Sequence, residues 1–202
     1  MAKRSRIIRI AIFAVAAGAF AAAASAAELV APTYPSEQQE KPLEVTVVAR
    51  AGVSGGKAGA AEILHNDGPD VFAAAAAEAL GKSTFDEGRT TATAWYVFRL
   101  MQDTKTTDVS PEAGRKLDAE PELTGYVAPE FPPGAPSLRT EITVNLLIGP
   151  DGTVWFAEVT GTGVNKLYAE SAATAARQFT FNPATLDGKP TLAWYPFIIE
   201  FN

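Results

Sequence analysis

The 202 residues carry 17 Lys+Arg against 23 Asp+Glu, a formal net charge of −6, and 47% of them are hydrophobic. That apolar content suffices for a packed interior and excludes a disordered chain, while the acidic balance argues against a nucleic-acid or anionic-membrane surface. The chain has no cysteine, which removes disulfides, thiolate metal sites and a lipid-attachment thiol, so stability has to come from packing.

The first 26 residues open with Lys3, Arg4, Arg6 and Arg9, continue through an apolar, Ala-rich middle and end on the small-residue site Ala24-Ser25-Ala26. This is the layout of a secretory signal peptide, and cutting is expected after Ala26. Export to the periplasm follows from it. Removing those four basic residues leaves 13 Lys+Arg against 23 Asp+Glu, a formal charge of −10. The alternative is an uncleaved inner-membrane anchor, since the stretch from Ile7 to Ala27 is about long enough to span a bilayer.

Next comes "VAPTYPS" from Val30, then "EVTV" from Glu44, a loose "VSGG" turn and "KAGAAEIL", a run of poor strand formers. Phe72, Ala76, Ala79 and Leu80 then mark a helical stripe, and "AWYVF" from Ala94 closes the set with a strand. Residues Gln102 to Gly125 are polar and charged with few large apolar side chains, which predicts a linker.

After the linker the order repeats. "VAPEFPP" from Val127 leads into "EITVNLLI", with Ile142, Val144, Leu146 and Ile148 on one face. "GPDG" is a hairpin turn and "TVWFAEVT" the next strand. Asn165 is a plausible cap for a helix whose stripe is Tyr168, Ala172, Ala175, Ala176 and Phe179. Small side chains on that stripe let a helix sit close on a sheet. "NPATLDGKP" turns, and "TLAWYPFIIEF" is the closing strand.

The likeness is ordered along the chain. Val30 to Pro35 meets Val127 to Pro132 at an offset of 97, with Tyr34 against Phe131; Glu44 meets Glu141, and Gly52 and Gly55 meet Gly149 and Gly152 in what read as turns. Phe72 and Phe85 meet Tyr168 and Phe181 at an offset of 96, and "AWYVF" meets "AWYPF" at 99. Such blocks in one order predict a tandem duplication of a small domain, with the first copy the more eroded. The expected organisation is a signal peptide over 1–26, a degenerate copy over 27–101, the linker over 102–125 and the better preserved copy over 126–202. The expected fold class is α+β, two tandem ββαβ units, each a three-stranded antiparallel sheet with one packed helix.

Little in the sequence points to catalysis or a metal. "SGGK" at Ser54 to Lys57 has the spacing of a Ser-x-x-Lys motif but falls in a hairpin turn rather than at a helix start. "GTGVNK" at Gly161 to Lys166 reads as a loop ahead of a helix, without the full phosphate-loop pattern. His65 is the single histidine, which rules out a multi-histidine site and predicts a surface-loop residue. No enzyme, cofactor or metal is expected.

The second copy resembles the C-terminal domain of the TonB family. The likeness rests on "FPPGA" (Phe131 to Ala135), Asp151-Gly152, "FTFNPA" (Phe179 to Ala184), "DGKP" (Asp187 to Pro190) and "WYPF" (Trp194 to Phe197). The resemblance implies the same ββαβ fold and a partner, an envelope protein such as an outer-membrane receptor segment, that joins the sheet edge. Pro196 cannot donate to a ladder, so the last strand is expected to be an edge or bulged there. The expected docking strand is Leu192 to Phe201, with Leu192, Trp194, Tyr195, Phe197, Ile199 and Phe201 as its partner-binding residues. Phe179, Phe181, Trp194 and Phe197 are also expected in core or sheet packing, whereas Tyr195 and Trp155 are expected to be more exposed. The leading expectation is a non-catalytic periplasmic protein-binding module. The alternative is an anchored TonB-type energy transducer for receptor-mediated uptake, although only residues 27–42 would then form its spacer.

Overall fold

The computed structural model describes residues 27–38, 43–136 and 139–201. The expected signal peptide or anchor lies outside the described residues. The described chain divides into two compact units, 27–115 and 116–201.

In the first unit, β1 (Glu44–Ser54), β2 (Lys57–Asn66), α1 (Asp70–Lys82), β3 (Thr91–Arg99) and β4 (Lys105–Asp108) follow in order. The sheet is four-stranded and antiparallel, ordered β2-β1-β3-β4. Alternate β1 residues Val45, Val47, Ala49 and Ala51 face a core that also takes Phe72, Ala76, Ala79 and Leu80 from α1 and Tyr96 and Phe98 from β3. The four helical positions are those of the expected stripe. Tyr34 packs its ring edge on Phe72 at 5.1 Å between centroids, which ties the segment ahead of β1 to the helix.

In the second unit the elements are β5 (Glu122–Gly125), β6 (Thr140–Ile148), β7 (Val154–Thr160), α2 (Lys166–Ala176), β8 (Thr180–Asn182), β9 (Thr185–Leu186), β10 (Lys189–Pro190) and β11 (Ala193–Phe201). A three-stranded antiparallel sheet runs β11-β6-β7, and the short pairs β5-β8 and β9-β10 complete the unit. Asn165 caps α2, its side chain accepting from the Leu167 N–H at 2.9 Å. The helix lays Tyr168, Ala172, Ala175 and Ala176 on Ile142, Val144, Leu146 and Ile148. Three alanines at the contact allow the close approach expected of them, and the aromatic volume comes from Tyr168 on the helix together with Phe179, Phe197 and Phe201. The fold is thus α+β with ββαβ units.

Three expectations need correction. Gln102 to Gly125 is no structureless linker: β4 adds a fourth strand to the first sheet, and β5 pairs with β8. β4 is a short polar strand and β5 sets a single apolar residue, Leu123, against the core, so no apolar alternation announces either. His65 is in β2 opposite Val48 rather than in a loop, because a register shift between Val48 and Ala49 lets β2 continue past Leu64. Gly52 is within β1, paired with Thr91, so the first hairpin turns at Gly55 and Gly56 instead.

The units repeat their local geometry at that hairpin. The Phe85 N–H donates to the Gly56 carbonyl at 2.9 Å, and the Phe181 N–H donates to the Gly152 carbonyl at 2.8 Å. Lys57 bridges Thr84 as Thr153 bridges Thr180. Glu28 bridges Thr84 as Gly125 pairs with Thr180. In the sheets, Val48 opposite Trp95 corresponds to Leu147 opposite Trp194. The first strands therefore correspond two residues away from the offset read in their letters, a shift that keeps every side chain on its face.

Gly152 has φ +80°, and a Cβ there would come within 2.0 Å of the Phe181 carbonyl oxygen. Gly188 has φ +69° with open space around it. Gly152→Ala is expected to cost about 3 kcal/mol or more, from backbone strain and a displaced hydrogen bond, and Gly188→Ala only about 1 kcal/mol. Urea denaturation of the two variants checks this, and equal costs would refute the close-approach explanation.

Candidate functional site

β11 forms one rim of the second sheet: it pairs with β6 through nine successive positions, Ala193↔Ile148 to Phe201↔Thr140, and no strand pairs with its far side among the described residues. The register has no shift, unlike β7, which slips between Leu147 and Ile148 on the other rim. Pro196 stands opposite Asn145 in the middle of the strand. A proline is accommodated in a paired strand where its nitrogen points away from the neighbour. The two-residue alternation then turns the main-chain groups of Trp194, Ile198 and Glu200 to the far side as well.

The first unit has the same arrangement on β3. The Thr93 carbonyl accepts from the Val109 N–H at 2.9 Å, and the Thr93 N–H donates to Ser110 Oγ at 2.7 Å, so Thr93, Trp95 and Val97 turn their main-chain groups away from β1. There β4 takes up that side, pairing Trp95 with Thr107 and Val97 with Lys105.

The six residues expected to bind a partner divide by face. Phe197, Ile199 and Phe201 point into the core under α2, and Leu192 is fully buried just before the strand. All four are packing residues, and for Phe197, Ile199 and Phe201 the alternation of β11 requires it. Tyr195 is on that same face but half-buried at its margin, its ring 6.0 Å from that of Phe181. Trp194 is half-buried on the opposite face, edge-on to Phe156 at 6.3 Å, with buried Leu147 paired between them. Trp155 is half-buried too. The structure thus brings Trp194 and Tyr195 to the rim and adds Ile198 and Glu200, which the reading of side-chain character missed. Their signal was Pro196, whose parity marks the outward positions.

Charge at the rim is sparse. Arg139 reaches Glu200 at 3.6 Å with a largely exposed guanidinium, a pair that contributes little. In the first unit, burial pushes the Tyr96 hydroxyl well above the ordinary phenol range, because the apolar core accepts only the neutral form. Among the described residues no group of three or more His, Cys, Asp and Glu is placed to hold a metal ion. A shallow depression of about 510 Å³ runs along α1 between Tyr34, Glu37, Val71 and Glu78. "SGGK" forms the β1-β2 turn, and "GTGVNK" forms the loop and first residue of α2.

Residues 127–202 match the family model described as the Gram-negative bacterial TonB protein C-terminal. Over this segment the chain is similar to the TonB C-terminal domain. No curated protein and no solved structure matches the chain. The likeness is to a TonB-like protein-interaction module, from a non-catalytic, envelope-associated family whose members interact with outer-membrane receptors and envelope proteins. No helix among the described residues is long and apolar enough to cross a membrane.

Ile199 is 1% exposed, so Ile199→Ala is expected to lower the unfolding free energy by about 2–5 kcal/mol through lost burial and a cavity. Urea titration checks this, and a change below about 0.5 kcal/mol would place Ile199 outside the core.

Proposed function

We propose that the chain is a non-catalytic periplasmic protein made of two copies of one small domain. In the TonB C-terminal domain, the far side of β11 takes an extended segment of an envelope protein as a further strand. The observation that carries this reading is the filled rim of the first unit, where β4 already lies along β3 with the register an added strand would use. Strand addition draws affinity from main-chain hydrogen bonds and specificity from side chains flanking the rim. Here Trp194 and Tyr195 flank it on opposite faces. The fit is to an extended segment free of proline at its donating positions, such as the accessible part of an outer-membrane receptor.

The repeated hairpin contacts of Gly56 with Phe85 and of Gly152 with Phe181 support common descent of the two copies. They also explain why the first copy holds its shape with a poorer strand-forming β2.

A proline at an outward position removes one donor from the rim while leaving the pairing with β6 intact, as Pro196 already does. Ile198→Pro is therefore expected to abolish capture of an outer-membrane receptor by the tagged full chain, whereas Thr160→Pro at the end of β7 leaves capture unchanged. Crosslinking in intact cells, with mass spectrometric identification of the captured protein, reads this out. Equal capture by both variants would sink the docking reading.

The periplasmic assignment is tested separately by intact mass. The protein recovered from the periplasmic fraction is expected to begin at Ala27. A full-length mass confined to the inner-membrane fraction would replace this reading with that of an anchored energy transducer.

A further inference from the structure

The return of the chain after β3 is held more firmly than a polar hairpin requires. Arg89 and Asp108 form an ion pair at 2.6 Å whose side chains are only 6% and 19% exposed. The other oxygen of Asp108 accepts from Ser110 Oγ at 2.6 Å and from the Ser110 N–H at 3.1 Å. Ser110 Oγ in turn accepts from the Thr93 N–H on β3. Arg89 also lies over the Phe85 ring at 5.6 Å, which fixes the cation from its other side. Thr104, Val109 and Ser110, which flank the strand, are all buried.

A short polar strand such as Lys-Thr-Thr-Asp has little burial to hold it, and rim strands of this kind fray readily. Here one carboxylate ties together its end, the chain beyond it and the rim it covers. Leaving the Arg89 cation without that carboxylate in so dry a place is unfavourable, so pairing of β4 and closure of the ion pair occur together.

We propose that Lys105 to Ser110 is a built-in occupant of a strand-accepting rim, latched by Asp108, so that the first unit admits no partner strand while the latch is closed. Opening the latch exposes the outward groups of Thr93, Trp95 and Val97. The rim then accepts an extended peptide of the same chemistry: β-branched polar residues followed by an acid placed to meet Arg89. The inference does not rest on docking at β11, and a failed capture by that strand leaves it standing.

The test uses the full chain carrying Asp108→Ala, followed by hydrogen exchange. The Trp95 and Val97 amides are expected to exchange about tenfold faster than in the natural chain, while the Tyr96 amide, which faces β1, keeps its protection. The synthetic peptide DTKTTDVS, the sequence of residues 103–110, is expected to bind the variant and restore protection of both amides, and not to bind the natural chain. Unchanged protection of Trp95 and Val97, or equal binding of the peptide by both proteins, would overturn the proposal. Asp108→Asn, which keeps an acceptor for Ser110 and removes the charge facing Arg89, decides the matter should Asp108→Ala lose its fold. Faster exchange at Trp95 and Val97 there supports the latch, and natural protection refutes it.

Discussion

The main chain of a β-strand carries a donor and an acceptor at every residue, and a sheet of three strands leaves half of those on its outer strands without a neighbour in the sheet. Much of this structure answers that constraint. In the first unit β4 covers β3; in the second, β5 pairs with β8, and β11 carries a proline where a donor would otherwise face outward. A small domain with one helix cannot cover both rims and one face at once. Which rim is covered, and by what, decides whether the unit is a closed building block or a surface for another chain.

The packing beneath is economical for the same reason. Each helix presents alanines to the sheet, so the layers approach closely, and the larger rings sit where the helix ends and the sheet still needs cover: Phe85 and Phe98 in one unit, Phe179, Phe197 and Phe201 in the other. Phe179 meets Phe197 edge-on at 5.3 Å, and Tyr168 meets Phe201 at 4.8 Å. These contacts anchor β11 from its core face, so its outer main-chain groups are presented by a strand that is fixed in place.

The elements legible in the sequence are those whose signal is local. The stripes of α1 and α2, the Asp151-Gly152 turn and the alternation of β6 all follow from side-chain periods of 3.6 and 2 or from a residue with one conformational use. β4 and β5 were invisible because their polar residues carry no period, and their stability lies in pairing with strands reached only after folding. The latch between Arg89 and Asp108 spans 19 positions, a separation at which composition says nothing about contact. The large apolar side chains of the last strand belong to two faces. Phe197, Ile199 and Phe201 face the helix because alternation leaves them no other direction, and the groups that distinguish the rim belong to the backbone.

Pro196 has one more effect. The run Trp194 to Phe201 joins aromatic and β-branched residues with a single charge, Glu200, a composition that in many proteins stacks copy on copy into cross-β assemblies. In-register stacking needs every residue of the run to donate along the stack, and a proline in the third position breaks that ladder in each copy. The residue that marks the outward parity of β11 thus also works against such stacking, in the manner of a gatekeeper within a strongly β-forming run.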